Sequence, residues 1–465
     1  MSEIVFSPSQ ENAANAFRKF ILEPGTGYFV LSGYAGTGKS FLVKELVRIV
    51  GVEYRLLRMI KPNLRKPEFL FTATTNKAAA VLEELAGGQL GEAMTIHSCL
   101  ALTLRTDFSS GQKYLVPGKR RPQRLDNKIL VIDEASMINK QLLGYIGKYT
   151  KNAANCKVVF VGDPYQLPPV NEDVCPIFSN NTMQLHMLTD IQRQAADSPI
   201  ISYAHKFREV LDNPKQNWPK VPECEDIIQY NEPLPFINKC LSTFKQAHEE
   251  GIAHMVKYLA WTNRDVIAAG RKIREHLGYK GSFAIGETLK SNSPILGTDV
   301  TNESLWKIAD YTDLEKTVLY TPTIAEGHKI QIPCKRLHLH PVDNSRAHPE
   351  TVLQPENWQE VNSKVISKLK RDKCWQLIYA IQENLADLRT IYSQTVHKSQ
   401  GSTYHEVFIN VLDIDANSNW ESIARLMYVA ITRAKFRVHI LGQLSDRLIP
   451  MDAEAALGLF DDSAI

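Results

Sequence analysis

The stretch Gly33-Tyr34-Ala35-Gly36-Thr37-Gly38-Lys39-Ser40 follows the β-rich run YFVLSG and leads into the helix-like run SFLVKELVRIV. Strand, glycine-rich loop and helix in that order commit this part of the chain to an α/β fold with a phosphate loop at the end of a strand. Gly33, Gly36 and Gly38 let backbone N–H groups converge on phosphate oxygens without a Cβ in the way, and the helix N-terminus adds its dipole. Lys39 is then in reach of the β and γ phosphates, and Ser40 is in position to ligate Mg²⁺, with Thr37 completing the loop.

A nucleotide hydrolase also needs an acidic pair at the end of a neighbouring buried strand. The run KILVIDEASM supplies it: four apolar residues, Ile129 to Ile132, end in Asp133 and Glu134. Continuous apolar runs suit a parallel strand covered on both faces. Asp133 is suited to hold Mg²⁺ through water, and Glu134 to polarise the attacking water. A third apolar strand, KVVFVG, puts Gly162, Asp163 and Gln166 at its C-terminal end, where ligands of such sheets gather. Gln166 is therefore placed to sense the γ-phosphate.

Length and composition bound the rest. At 465 residues the chain exceeds one core and divides into two or three domains. With 44% hydrophobic and 23% charged residues it reads as globular, without an apolar run long enough to span a membrane. The N-terminus MSEIVFSPSQENAANAF lacks the basic start and apolar centre of a secretory signal, so cytoplasm is the expected location. Seven scattered cysteines with no CxxC pair indicate neither a disulfide framework nor a zinc module. Cys334, His338 and His340 share one face of an expected strand, but no fourth ligand is evident for a tetrahedral metal. Net charge is only +3, so any nucleic-acid site must be a local groove.

The purpose of the nucleotide site comes from an ordered set of segments: GYAGTGKS, TATTNKAA, TIHSCL, VIDEASM, GDPYQLPPV, LTDIQRQA, TVHKSQGS and LMYVAITRA. Together they resemble superfamily 1B DNA helicases, the RecD-like and Dda-like branch, over about Ser7 to Lys435. The resemblance implies two RecA-like domains with parallel sheets flanked by helices, ATP and Mg²⁺ as cofactors, and 5′ to 3′ movement on single-stranded DNA. It implies that Gln10 reads adenine and that Arg193 and Arg433 reach the γ-phosphate from the second domain. Thr75, Asn76, Lys77, Thr95, His97, Thr395, His397, Lys398 and Gln400 match segments that line the single strand. Hydroxyl, amide and cationic groups on strand-end loops grip phosphates without reading sequence. Relatives commonly have proline where this chain has Thr74.

Motor domain 1 is expected over 1–195, with a β-hairpin insert at about 102–124. Motor domain 2 uses 196–285 plus 386–450, and 286–385 is an inserted domain, SH3-like or mixed α+β, carrying a long helical stretch from Glu356 to Leu385. Residues 451–465 form a C-terminal tail. In the hairpin, Tyr114 is the favoured wedge for splitting a duplex, with Phe108 second, and Lys119, Arg120, Arg121 and Arg124 follow as a basic run. The expected partners are single-stranded DNA and its junctions with duplex, with replication or repair proteins conceivable and a monomer the active form. A P-loop kinase and an ATP-gated single-strand clamp are the competing readings.

Overall fold

The computed structural model describes residues 6–85, 93–106, 113–180, 182–192, 197–295, 297–313, 317–319, 330–342 and 347–445. Two compact units separate. The first joins Met1–Leu100, Arg121–Ile267 and Gln394–Ile465; the second joins Ala101–Arg120 and Ala268–Ser393.

In chain order the first strands are β1 (Gly27–Gly33), β2 (Glu68–Ala73), β3 (Met94–Thr95), β4 (Leu102–Thr106), β5 (Lys113–Pro117), β6 (Lys128–Asp133), β7 (Lys157–Gly162) and β8 (Gln184–Leu188). All but β4 and β5 form one parallel sheet in the order β3-β2-β6-β7-β1-β8. Every residue of β7 is buried, as its unbroken apolar run requires. Helices Pro8–Leu22 and Lys39–Ile60 bring Phe17, Phe20, Leu42 and Leu46 into one core with Phe29, Leu31 and Val159 of the sheet. Register then fixes the site: Ser32 pairs with Gly162, and Ala73 pairs with both Asp133 and Thr95. Because all these strands run the same way, the phosphate loop, the acidic pair and the end of β7 share one edge.

A second parallel sheet in the same unit uses β9 (Ile227–Tyr230) and β10 (Val256–Ala260). Beyond the strands of the other unit come β18 (Ser393–Thr395), β19 (Tyr404–Asn410) and β20 (Ala434–Leu441), giving the order β18-β10-β19-β20-β9. Helix Trp420–Thr432 buries eight residues, from Ile423 to Ile431, and shares a core with Ile200, Tyr203, Ala204 and Phe207 of helix Pro199–Asp212. Its C-terminal half, Leu426 to Ile431, is apolar all round, as an interior segment must be. Leu167, which follows β7, joins this second core.

The second unit combines an antiparallel sheet with helices. Its antiparallel sheet takes the order β16-β15-β12-β11-β17, from β11 (Thr288–Ser291), β12 (Leu305–Asp313), β15 (Cys334–Pro341), β16 (Glu350–Pro355) and β17 (Leu388–Thr390). Strands β13 (Thr317–Leu319) and β14 (Ile330–Ile332) pair separately. The expected long helix is interrupted: helical turns run from Trp358 to Arg371, Lys373 turns left-handed at φ 53°, and a second helix covers Trp375–Asn384. Cys334 is buried against these helices with Val361, Leu369 and Ile381. On the same strand His338 Nδ1 meets Thr351 Oγ1 at 2.9 Å, and His340 is exposed.

The hairpin exists and pairs Leu102 with Pro117 through Thr106 with Lys113. It groups with the inserted segment, whereas its flanking residues Leu100 and Arg121 belong to the first unit. The reason is local: Leu102 and Leu115 are buried, so the ribbon needs a surface to cover them.

Candidate active site

The phosphate loop bends where its glycines allow. Gly36 and Gly38 have φ of 81° and 77°, a region that favours glycine. A Cβ on Gly38 would lie 2.7 Å from Gln10 Nε2. Gln10 is fully buried and has two tasks: its side-chain oxygen accepts from Ser7 N in a capping box, while Nε2 donates to Thr37 O at 3.1 Å. Lys39 Nζ folds over the loop and donates to Gly33 O at 2.7 Å and Tyr34 O at 2.9 Å. Thr37 Oγ1 donates to Tyr34 O, and Ser40 is exposed one residue into the helix.

Across the same edge, the Asp133 carboxylate accepts from Glu134 N at 2.8 Å. Burial pushes the Asp133 carboxyl above its ordinary range, with the Glu134 amide and Lys39 pulling the other way. Glu134 is held at φ 53°, a strained position for a non-glycine residue. Burial first, and then the Asp133 charge, push its carboxyl up to about 7, against the lowering pull of Arg433 and Lys39. The Asp133 carboxylate and the Ser40 hydroxyl offer oxygen donors only, the chemistry that fits a hard ion such as Mg²⁺.

The second sheet contributes to the same place. Gly401, at φ 70°, lies so close that a Cβ there would be 3.5 Å from Glu134 Oε1 and from Ala78 Cβ. Arg433 is buried; it donates to Val429 O, Ser402 O and Thr432 Oγ1, and its charge acts on Glu134. Arg425 Nη1 donates to Pro164 O at 2.7 Å and Gln166 O at 3.0 Å. Gln166 is buried, its Oε1 has no hydrogen-bond partner among the described residues, and it lines a cavity of about 140 Å³ with Ser136, Cys175 and Arg425. Arg193 lies outside the described residues; its neighbour Gln192 donates from its backbone to Gly36 O at 2.9 Å.

The residues expected along a single strand occupy turns at the ends of the two sheets. Thr75 Oγ1 accepts from Ala78 N, and Asn76 is exposed; the Lys77 side chain is outside the described set. Thr95 Oγ1 accepts from Ser98 N, and His97 is half-buried. In the second sheet Thr395 is buried, while His397 and Lys398 are half-buried. Burial lowers both His97 and His397 below the ordinary imidazole value, which favours the neutral form of each. Gln400 is turned inward and donates to Leu167 O at 3.3 Å. Thr74 Oγ1 donates to Met137 Sδ, which gives the hydroxyl found in place of proline a partner. Tyr114 is 40% exposed on β5, opposite Arg105, and Phe108 lies outside the described residues. Lys119, Arg120, Arg121 and Arg124 are exposed, with Arg124 paired to Asp126.

Profiles of two protein families match the chain in this order: an AAA domain over residues 6–213 and a UvrD-like helicase C-terminal domain over 390–441. Together they span more than half of the chain, and each contains one half of the constellation around Glu134. The chain belongs to the superfamily 1B helicases of the Pif1 and RecD type. An uncharacterised protein of Acanthamoeba polyphaga mimivirus is 24% identical across 93% of this chain and 99% of its own length. The ATP-dependent RecD2 DNA helicase of Deinococcus radiodurans is 30% identical, but over 38% of this chain and 21% of its own length. A Bacteroides Pif1 helicase, solved with ADP-AlF3 and single-stranded DNA, aligns over 98% of this chain and 97% of its own at 14% identity, with a TM-score of 0.43.

Several residues of the helicase domain's site were not singled out by sequence reasoning: Gly401, Arg425, Tyr428, His205 and Arg208. Tyr428 carried a signal, since it places a hydroxyl inside the otherwise apolar run from Leu426 to Ile431, where a buried phenol needs a partner.

No helix among the described residues is long and apolar enough to cross a membrane.

Proposed function

We propose that this chain is an ATP- and Mg²⁺-dependent DNA helicase that moves 5′ to 3′ along single-stranded DNA and separates duplex ahead of it. The observation that carries this reading is the meeting at Glu134 of the first sheet's acidic pair with Gly401 and Arg433 of the second. A base whose surroundings come from two sheets changes its environment whenever those sheets move, which is how hydrolysis couples to domain closure. Lys39 and the loop amides hold the phosphates, and Ser40 and Asp133 would hold the metal. Bound Mg²⁺ would supply charge neutralisation between the phosphates. Glu134 takes the proton of the attacking water, and Arg433 meets charge on the transferring phosphoryl. Its proton affinity near neutrality suits Glu134 to that exchange.

The Deinococcus enzyme's name and the Bacteroides complex support ATP and single-stranded DNA as ligands of the family. Thr75, Asn76, Thr95, His97, Thr395, His397 and Lys398 form the DNA track in this reading. Gln400 would act from inside, by tying that track to Leu167.

The experiment is steady-state ATP turnover with and without single-stranded DNA, followed by unwinding of partial duplexes bearing a 5′ or a 3′ tail. DNA-stimulated turnover with unwinding of the 5′-tailed substrate is expected, and Lys39→Ala should abolish both. Turnover indifferent to DNA would favour a kinase, stimulation without unwinding a clamp, and unwinding confined to the 3′ tail would reject the direction.

A further inference from the structure

The Tyr428 hydroxyl is fully enclosed between two parts of the nucleotide site. It accepts from the backbone N–H of Ala35, in the phosphate loop, at 2.9 Å, and donates to Asp163 Oδ2, at the end of β7, at 2.5 Å. Asp163 is itself buried, and its other oxygen accepts from Tyr165 N at 3.0 Å. Ala35 is also held from its carbonyl side, where His205 Nε2 lies 3.2 Å from Ala35 O. Next to it the Arg208 guanidinium stacks 3.7 Å above the Tyr34 ring. Tyr428 stands on helix Trp420–Thr432, and His205 and Arg208 on helix Pro199–Asp212; both helices pack in the core of the second sheet. The N–H and the C=O of one loop residue are thus both gripped by side chains of the other motor half.

We infer that Tyr428 is a positioning residue for ATP hydrolysis: its hydroxyl ties the phosphate loop to the Asp163 carboxylate, so that loop geometry follows the placement of helix Trp420–Thr432. This rests on the reading of the site as an ATPase. Arg433 follows that helix directly, five residues after Tyr428, about 7.5 Å along a helical axis. One rigid element therefore reaches the loop with a phenol and the Glu134 side with a guanidinium. A hydrogen bond to a charged acceptor, with both partners buried, holds geometry far better than a solvated one. The loop's phosphate-binding amides remain those of the first sheet, so nucleotide affinity does not depend on Tyr428. The turnover step does, because it needs loop, Asp163 and Arg433 in register together.

Tyr428→Phe keeps the ring and removes the bridge. The expected result is a fall of tenfold or more in the DNA-stimulated kcat, with KM for ATP and affinity for single-stranded DNA within threefold of wild type. In nucleotide-free protein, hydrogen exchange of the peptide covering residues 33–40 should speed up, with the rest of the chain unchanged. A merely structural tyrosine would lower thermal stability and spread the exchange change over the helix core. In combination with His205→Ala, which frees the same residue's carbonyl, the kcat losses should be non-additive. Unchanged kcat in an enzyme that responds to DNA, or strict additivity, overturns the inference. If wild type turns over no ATP, the ATPase reading fails while loop exchange still decides whether Tyr428 holds the loop. If Tyr428→Phe does not fold, His205→Ala alone must quicken loop exchange and lower kcat; failure of both overturns the proposal.

Discussion

Replacing Glu134 with glutamine should stabilise the nucleotide-free protein above neutral pH, although the side chain is the proposed general base. Its carboxyl is enclosed beside Asp133 and in the field of Asp163, and the positive charges of Arg433 and Lys39 compensate only in part. The folded protein therefore holds the proton up to about 7, against an ordinary value of 4.5. The sign follows from linkage: a group whose folded value is raised contributes stability that is complete below the unfolded value and is lost as pH rises to the folded one. Stability is thus lost between pH 4.5 and 7 and stays lost above. At about 1.4 kcal/mol per pH unit, the ceiling is about 3 kcal/mol, lowered by the partial exposure of the side chain and by sharing the proton with Asp133. Glutamine is isosteric and neutral, so it escapes the loss. Paired urea titrations of wild type and Glu134→Gln in EDTA, at pH 4.5, 6, 7 and 8, read it directly. The two should coincide at pH 4.5 and diverge to about 1–3 kcal/mol by pH 7, with no further divergence at pH 8. A variant less stable than wild type at pH 8, or a difference independent of pH, would refute the electrostatic account of the site.

Arg433→Ala should depress DNA-stimulated turnover by roughly three orders of magnitude with single-strand affinity within a few fold, as expected of an arginine that acts on the transition state. It also removes a charge that lowers the Glu134 carboxyl, so the acid limb of kcat against pH should move upward; normal turnover with weak DNA binding would place Arg433 on the track instead. Tyr114→Ala should leave single-strand-stimulated ATPase near wild type and cut duplex unwinding severely, because stacking on a base is worth about 1–3 kcal/mol; parallel loss of both would make the ring structural. On the track, Lys398→Ala should flatten the plot of log affinity against log salt by about 0.7, whereas His97→Ala and His397→Ala should weaken binding without changing that slope, since burial favours the neutral imidazole in both. Equal slope changes for all three would show that the histidines bind as cations.

What the sequence disclosed was what its local order could carry. Gly33 to Ser40 and Ile129 to Glu134 are strand-end segments whose chemistry depends on neighbours a few residues away, and register places their ends on one edge. Contacts made by distant segments were hidden. Tyr428 and Asp163 are 265 residues apart, and no periodicity relates them. Gln400 lies among residues assigned to the track, yet its amide is satisfied inside by Leu167. The run from Glu356 to Leu385 has helical composition throughout; Lys373, left-handed at φ 53°, breaks it so that Leu369 and Leu377 can fill one core. Propensity gives a helix its length only when packing permits.

The two sheets repeat one device that bears on how a single strand could be held. β3 and β18 are each the edge strand of their sheet, and each ends in a threonine followed by a four-residue helix. Thr95 has φ −73° and ψ 149°, and Thr395 has φ −71° and ψ 151°. In both, a histidine is the second helical residue, half-buried and with its proton affinity lowered by burial. A motor that walks on a repeating phosphodiester needs two grips of the same kind, because each must hold the same chemistry while the other moves. Neutral donors suit that task better than fixed charges, since a grip of modest strength can be released in every cycle. The asymmetry lies elsewhere: Lys398 follows the histidine in the second turn, where the first has Ser98. If both turns bind phosphate, the second holds more tightly at low salt. The difference between the two grips is then itself dependent on ionic strength, as single-strand binding through a cation must be.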